Sequence, residues 1–211
     1  MREFYPVFLI LSLVFFYQCN AIICPELGPY LENLSRMPFF PHFAFDPECI
    51  EKVQPRVGFY LSQGNFEKVC DVQFSREKGF KKIVTECNFQ NLRKLNILVH
   101  GFTGNENGTL DLKDEILKTE KEAGVLTLDW SEGADVSFSW LRTAHTIFTA
   151  GLHSWLRSLA VYQQAASNTR YVGAALAIII KEINLKYPGL SFHCIGHSLK
   201  AFVCGFAGKT L

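Results

Sequence analysis

The sequence predicts an α/β fold, a mostly parallel sheet with helices on its flanks. Two observations predict it. Apolar runs bounded by turn residues recur at Leu95–Val99, Val125–Asp129 and Leu190–Ile195. Such runs suit strands buried on both faces. Segments with helical spacing lie between them, and strands alternating with helices build parallel sheets through crossover connections.

The elements follow in chain order. Val57–Leu61 is a short β-like run, and a weaker β signal lies at Ile83-Val84. The strand over residues 95–99 stops at His100-Gly101. Residues 103–109 form a Gly/Asn-rich loop. Residues 111–122 have helical spacing with Leu112, Ile116 and Leu117 as the apolar face, and Gly124 is placed as the stop. Residues 131–160 suggest an amphipathic helix. Leu141, Ala144, Phe148, Leu152, Trp155 and Leu159 share its stripe. That stripe suits either an interfacial, lipid-touching element or an extra helix packed on the core, and its sparse charge favours the second. Over 162–186, Val172, Ala175, Leu176, Ile179, Ile180 and Ile183 recur at helical spacing until Pro188-Gly189. A last helix begins at Leu199.

Before these elements lies a different kind of sequence. Val7–Tyr17 is an apolar run broken only by Ser12, too short for a comfortable membrane span. Cys19 and Ala21 stand at small-residue positions, so residues 1–21 are expected to be a secretory signal peptide. Residues 22–52 are rich in Pro, Phe and Cys and are expected to be an irregular leader to a domain over 53–211. Secretion favours disulfides. Cys24, Cys49, Cys70 and Cys87 make two bridges in any of three pairings. Cys194 and Cys204 fall on a strand and the next helix, whose axes stand about 10 Å apart, so buried free thiols are expected there. Two glycosylation sequons occur, at Asn33 and, in the predicted loop, at Asn107. The formal net charge of +1 gives nucleic acid no support as a partner. The sequence shows neither metal-ligand spacing nor a cofactor loop.

Chemistry concentrates at Gly196-His197-Ser198-Leu199-Lys200. Alone, Gly-x-Ser suits a capping serine equally well. Between an apolar strand and a helix it suits a nucleophile elbow, with Ser198 exposed and the Leu199 N–H as an oxyanion donor. The loop His100-Gly101-Phe102, after the earlier central strand, would supply a second donor from the Phe102 backbone. Its side chain would line an acyl pocket. His100 is assigned to a core or supporting role rather than a catalytic one.

These residues resemble the animal neutral lipases, which include pancreatic-type lipases and arthropod phospholipases A1. The matching segments are Asn96-Ile97-Leu98-Val99-His100-Gly101-Phe102, Leu126-Thr127-Leu128-Asp129-Trp130, Tyr162 with Asn168 and Val172-Gly173, and Gly196-His197-Ser198-Leu199 with Gly205-Phe206-Ala207-Gly208-Lys209. The resemblance covers roughly 57–211. It implies an α/β-hydrolase fold, here its N-terminal part. It also implies hydrolysis of glycerolipid carboxyl esters at a lipid–water interface by an extracellular enzyme with Ser198 as nucleophile.

The sequence departs from that pattern in four places. The resemblance puts the partner aspartate and histidine after the serine, and residues 199–211 contain neither. A substitute drawn from Asp129, His145 or His153 is not expected. Lys200 stands where the motif has its second glycine, and is expected either to strain the turn or to lean outward. Phe202 stands where the family has histidine. Residues 131–160 are longer than the family's link. The first two departures leave a second reading, a non-catalytic homologue that binds lipid or a protein partner.

Overall fold

The computed structural model describes residues 50–62, 68–74, 79–80, 82–102, 107–134 and 153–211, with the side chains of 108 and 153–161 left aside. The signal segment, the leader up to residue 49, the Asn33 sequon and most of the 131–160 insertion lie outside these residues.

A short helix, α1 (Ile50–Val53), leads into β1 (Arg56–Leu61) and β2 (Lys68–Gln73). Then come α2 (Lys82–Glu86), β3 (Lys94–Val99), α3 (Asn107–Thr119), β4 (Ala123–Asp129) and α4 (Ser131–Ala134). The long α5 (His153–Lys186), β5 (Ser191–Ile195) and α6 (Leu199–Thr210) complete the order. The five strands form one sheet in the order β2-β1-β4-β3-β5. β3 pairs in parallel with β4 and with β5, whereas β1 is antiparallel to both β2 and β4. The sheet is therefore mixed, a partial α/β-hydrolase architecture whose parallel part is its β4-β3-β5 side.

Strand alternation sorts side chains into two cores. Leu95, Ile97 and Val99 of β3, Leu126 and Leu128 of β4, and Phe59 of β1 meet Val172, Leu176, Ile179 and Ile183 of α5 and Val203 and Phe206 of α6. On the opposite face, Leu98, Val125 and Tyr60 meet Leu117 of α3. The central strands are covered from both sides, which is why their runs are mostly apolar, with Asn96 and Thr127 as buried polar exceptions.

Several local expectations change. Ile83-Val84 is helical, not β. Only Ile83 is buried, Lys82 pairs with Glu86 at 3.1 Å one turn on, and Lys186 Nζ donates to the Val84 carbonyl at 2.7 Å. Tertiary partners thus decide a segment whose β-branched pair pointed the other way. α3 begins at Asn107, so that sequon sits on an exposed helix start rather than in a loop, and Leu112 is 45% exposed instead of facing the core. Gly124 does not end the helix but sits inside β4, where a Cβ would come within 2.8 Å of Phe59 and 2.9 Å of Leu92. The described part of the insertion also differs. Residues 153–161 continue directly into α5, which runs unbroken to Lys186.

Cys70 and Cys87 are bridged, tying β2 to the end of α2 with their Cα atoms 5.6 Å apart. Cys194 and Cys204 are bridged as well, with Cα atoms 5.7 Å apart, against the expectation of free thiols. The axis spacing misled because it is not a Cα separation. A helical Cα stands about 2.3 Å off its axis toward the sheet, and α6 starts immediately after the strand's turn. Cys194 faces α6 because it shares the inward parity of Phe192, and Cys204 neighbours the buried Val203.

Candidate active site

β5 ends at Ile195, α6 begins at Leu199, and three residues make the turn between them. Ser198 occupies that turn with φ 60° and ψ −131°, a backbone conformation costly for a side-chain-bearing residue. It is exposed, and its side chain makes no capping hydrogen bond to the helix it precedes. The capping-serine alternative therefore loses its physical basis. The turn is closed by the Lys200 N–H donating to the His197 carbonyl at 3.3 Å and the Ala201 N–H to the Ser198 carbonyl at 3.0 Å. The Leu199 N–H takes part in neither bond and belongs to the unsatisfied first turn of the helix.

Gly196 makes this turn possible. A Cβ there would lie 2.6 Å from the Lys200 carbonyl carbon and 2.9 Å from the Ala201 nitrogen. Those are backbone atoms of the helix and cannot move aside. The crowding expected at Lys200 thus falls on Gly196. Lys200 neither strains the turn nor points away from it. Its stem lies over Gly101, with Cε 3.4 Å and Cγ 3.8 Å from where a Gly101 Cβ would stand. The lysine stem therefore bridges the serine turn and the His100-Gly101-Phe102 loop. The His197 carbonyl oxygen lies 3.9 Å from the same point.

That loop is held from beneath by His100, which is 2% exposed. His100 Nδ1 lies 3.0 Å from the Gly101 carbonyl oxygen. An oxygen of that kind only accepts, so Nδ1 carries hydrogen. A trans peptide is planar with its C=O and N–H antiparallel. Holding the Gly101 carbonyl toward the imidazole therefore turns the Phe102 N–H to the side away from it. His100 Nε2 lies 3.0 Å from Asp129 Oδ1 and 2.9 Å from the Trp130 backbone nitrogen. One nitrogen cannot serve both. As a lone pair it accepts from Trp130, and as N–H it donates to Asp129. The Trp130 indole N–H donates to the His100 carbonyl at 2.9 Å, and its ring stacks on the imidazole with centroids 5.6 Å apart.

Asp129 is the residue that sequence reasoning undervalued. It was legible only as part of the Leu126–Trp130 segment. Here burial pushes its carboxyl up, but the close approach of His100 Nε2 and the hydrogen bond from the Ser131 N–H at 2.9 Å outweigh that and hold it at about 2. Asp129 is thus engaged with His100 rather than kept for Ser198. The Phe102 ring meets Tyr162 edge-on at 5.4 Å between centroids and packs on the main core. Phe202 packs on that core beside Phe206, so its departure from the family pattern is one of packing. His145 and the His153 side chain lie outside what the structure describes. Among the described residues, no group of three His, Cys, Asp or Glu could hold a metal ion, and no helix is long and apolar enough to cross a membrane.

Chemically, the arrangement presents a serine hydroxyl at a strand–helix turn, one free helix-start N–H beside it, and a second backbone N–H aimed by a buried histidine. Such a set suits attack on a carbonyl and stabilisation of the resulting oxyanion.

Comparison with known proteins agrees with this geometry. The family model described as Lipase matches residues 151–211. Inactive pancreatic lipase-related protein 1 of Mus musculus is 33% identical over 195 residues, covering 90% of this chain and 33% of that protein. Pancreatic lipase-related protein 2 of Mus musculus is 31% identical over 132 residues, or 61% of this chain and 22% of that protein. Pancreatic triacylglycerol lipase of Cavia porcellus is 28% identical over 140 residues, or 64% of this chain and 25% of that protein. The chain spans about a third or less of the length of these curated relatives. With the mixed sheet, the serine turn and these matches together, the chain belongs to the lipase family and carries part of its α/β-hydrolase fold.

Proposed function

We propose that the protein hydrolyses carboxyl esters of glycerolipids outside the cell, with Ser198 as the nucleophile and the Phe102 and Leu199 N–H groups as the oxyanion hole. The observation that carries this reading is the backbone of Ser198, with φ 60° between β5 and α6 and no capping bond. A strained, exposed, uncapped serine in that place has no structural purpose that a glycine would not serve better. Secretion rests on the expected signal over residues 1–21 and is supported by the bridged cysteines. The substrate class follows from the family. Triacylglycerol and phospholipid are both within it.

The second reading is a secreted homologue that binds lipid or a protein partner without turnover. One observation favours it: the first relative cited above, which matches 90% of this chain, is named inactive.

One experiment separates the two. The protein secreted by its native source is assayed on emulsified triacylglycerol and on phosphatidylcholine vesicles, beside Ser198→Ala. The enzyme reading expects turnover that falls by roughly 10⁶ in the variant. Turnover that survives Ser198→Ala overturns the nucleophile assignment. Lipid binding without turnover in either form supports the second reading.

A further inference from the structure

We propose that the Cys194–Cys204 disulfide is a positioning clamp for the serine turn, holding Ser198 in its presented conformation. The inference rests on the reading of Ser198 as the nucleophile, but its structural half stands independently of turnover.

The turn has two arms, and the bridge joins them directly. Cys194 is the next-to-last residue of β5, and Cys204 lies ten residues later in the middle of α6. The loop they close contains Gly196, His197 and Ser198. A positive φ at a serine survives only where the flanking structure over-determines it. Here the strand arm is the weaker side. Among the described residues β5 hydrogen-bonds to β3 alone, and its Ser191 and His193 are exposed. The helix arm is better seated, since α6 packs closely on α5 where Gly173 admits Phe206. The bridge fastens the loosely held strand end to the firmly held helix. With the bridge open, the strand end can shift relative to α6 and Ser198 can relax to an ordinary backbone conformation.

The other disulfide provides an internal control. Cys70–Cys87 ties β2 to α2 at the far side of the sheet and touches no residue of the turn. Opening either bridge with dithiothreitol, a dithiol, is the same reaction. The S–S bond breaks, two electrons and two protons pass to the cysteine sulfurs, and the reagent closes to its cyclic disulfide.

The test begins with peptide mapping of the unreduced protein, which is expected to recover Cys194 linked to Cys204. Amide hydrogen exchange is then followed by mass spectrometry in wild type, in a Cys194→Ala/Cys204→Ala double variant, and in native protein reduced and alkylated. Amides over 195–203 are expected to exchange at least about tenfold faster without the bridge, while β3, β4 and α5 peptides keep their protection. A Cys70→Ala/Cys87→Ala variant is expected to leave 195–203 unchanged. Where ester turnover is measurable, loss of the clamp is expected to lower kcat and leave KM within twofold. Absence of the linkage, unchanged exchange over 195–203, or a rise spread evenly over the whole domain would each overturn the clamp. If no form turns over ester, the nucleophile reading fails while the exchange result still decides the clamp.

Discussion

Gly173→Ala sets two well-known effects against each other, and the structure says which wins. In an exposed helix, replacing glycine with alanine stabilises by about 1 kcal/mol through backbone entropy. Gly173 is inside α5, so propensity alone predicts a gain. Its Cβ, however, would stand 2.5 Å from Phe206 Cβ, 3.0 Å from the Val203 carbonyl oxygen and 3.2 Å from the Ala207 nitrogen. Two of these are backbone atoms of α6, and Phe206 Cβ is rigidly attached to it. No flexible side-chain end can yield, so the helices must separate by about 1 Å to restore ordinary contact at about 3.5 Å. Forcing an extra carbon into a close-packed interface costs about 1–3 kcal/mol, and the lost packing around Phe206 and Ala207, both nearly fully buried, adds to it. Set against the propensity gain, the net is a destabilisation of about 1–2 kcal/mol. Urea unfolding followed by far-UV circular dichroism measures it as a lower midpoint at unchanged slope. α6 also carries Leu199 beside the serine, so a displaced helix is expected to depress any Ser198-dependent turnover beyond the stability loss. A midpoint equal to or above wild type would refute the reasoning, because the close approach of α5 and α6 would then not exist in solution.

Two further predictions concern the site itself. Gly196→Ala brings a Cβ to 2.6 Å from the Lys200 backbone, so the turn must open; Ser198-dependent ester hydrolysis is expected to fall at least about 100-fold, measured against a soluble short-chain ester. Asp129 titrates at about 2 in the fold against 3.8 ordinarily, so its contribution is complete above pH 4 and is lost as pH falls toward 2. Discounted for partial exposure, that is roughly 1–2 kcal/mol, and Asp129→Asn is expected to flatten the corresponding part of a stability-against-pH curve, read as thermal midpoints between pH 5 and 2.

The parts of the fold that were legible in the sequence are those whose burial is two-sided. β3, β4 and β5 stand out as apolar runs, and α5 stands out because one face repeats over many turns. β2 does not. Lys68–Gln73 is half charged or polar, Val69 is half exposed, and only Val72 is fully buried, which is how an outer strand beside an antiparallel neighbour reads. The antiparallel direction of β1 has no local signature, because pairing direction is a property of two segments and not of one. At the site, the strand–turn–helix context of Ser198 and the loop before Phe102 were legible as motifs. The route of Lys200 over Gly101 was not, since it depends on a contact between residues far apart in the sequence. The Cys194–Cys204 bridge was misjudged from layer spacing, although the inward parity of Cys194 and the position of Cys204 beside Val203 carried the signal.

The support beneath the Phe102 N–H has an evolutionary consequence. What aims that donor is a chain of contacts running from Gly101 through His100 to Asp129 and Trp130, and the last two belong to β4, a different strand from the loop they govern. A backbone group cannot itself be mutated, so drift reaches it only through its supports. If the Phe102 N–H is the donor proposed above, its ring can change while the donor stays. A change at Asp129 or Trp130, by contrast, is then expected to misdirect the donor with the serine motif intact. On that reading, loss of activity has a path that leaves the Gly-His-Ser signature unchanged, and the residues to compare between active and inactive relatives lie at the end of β4.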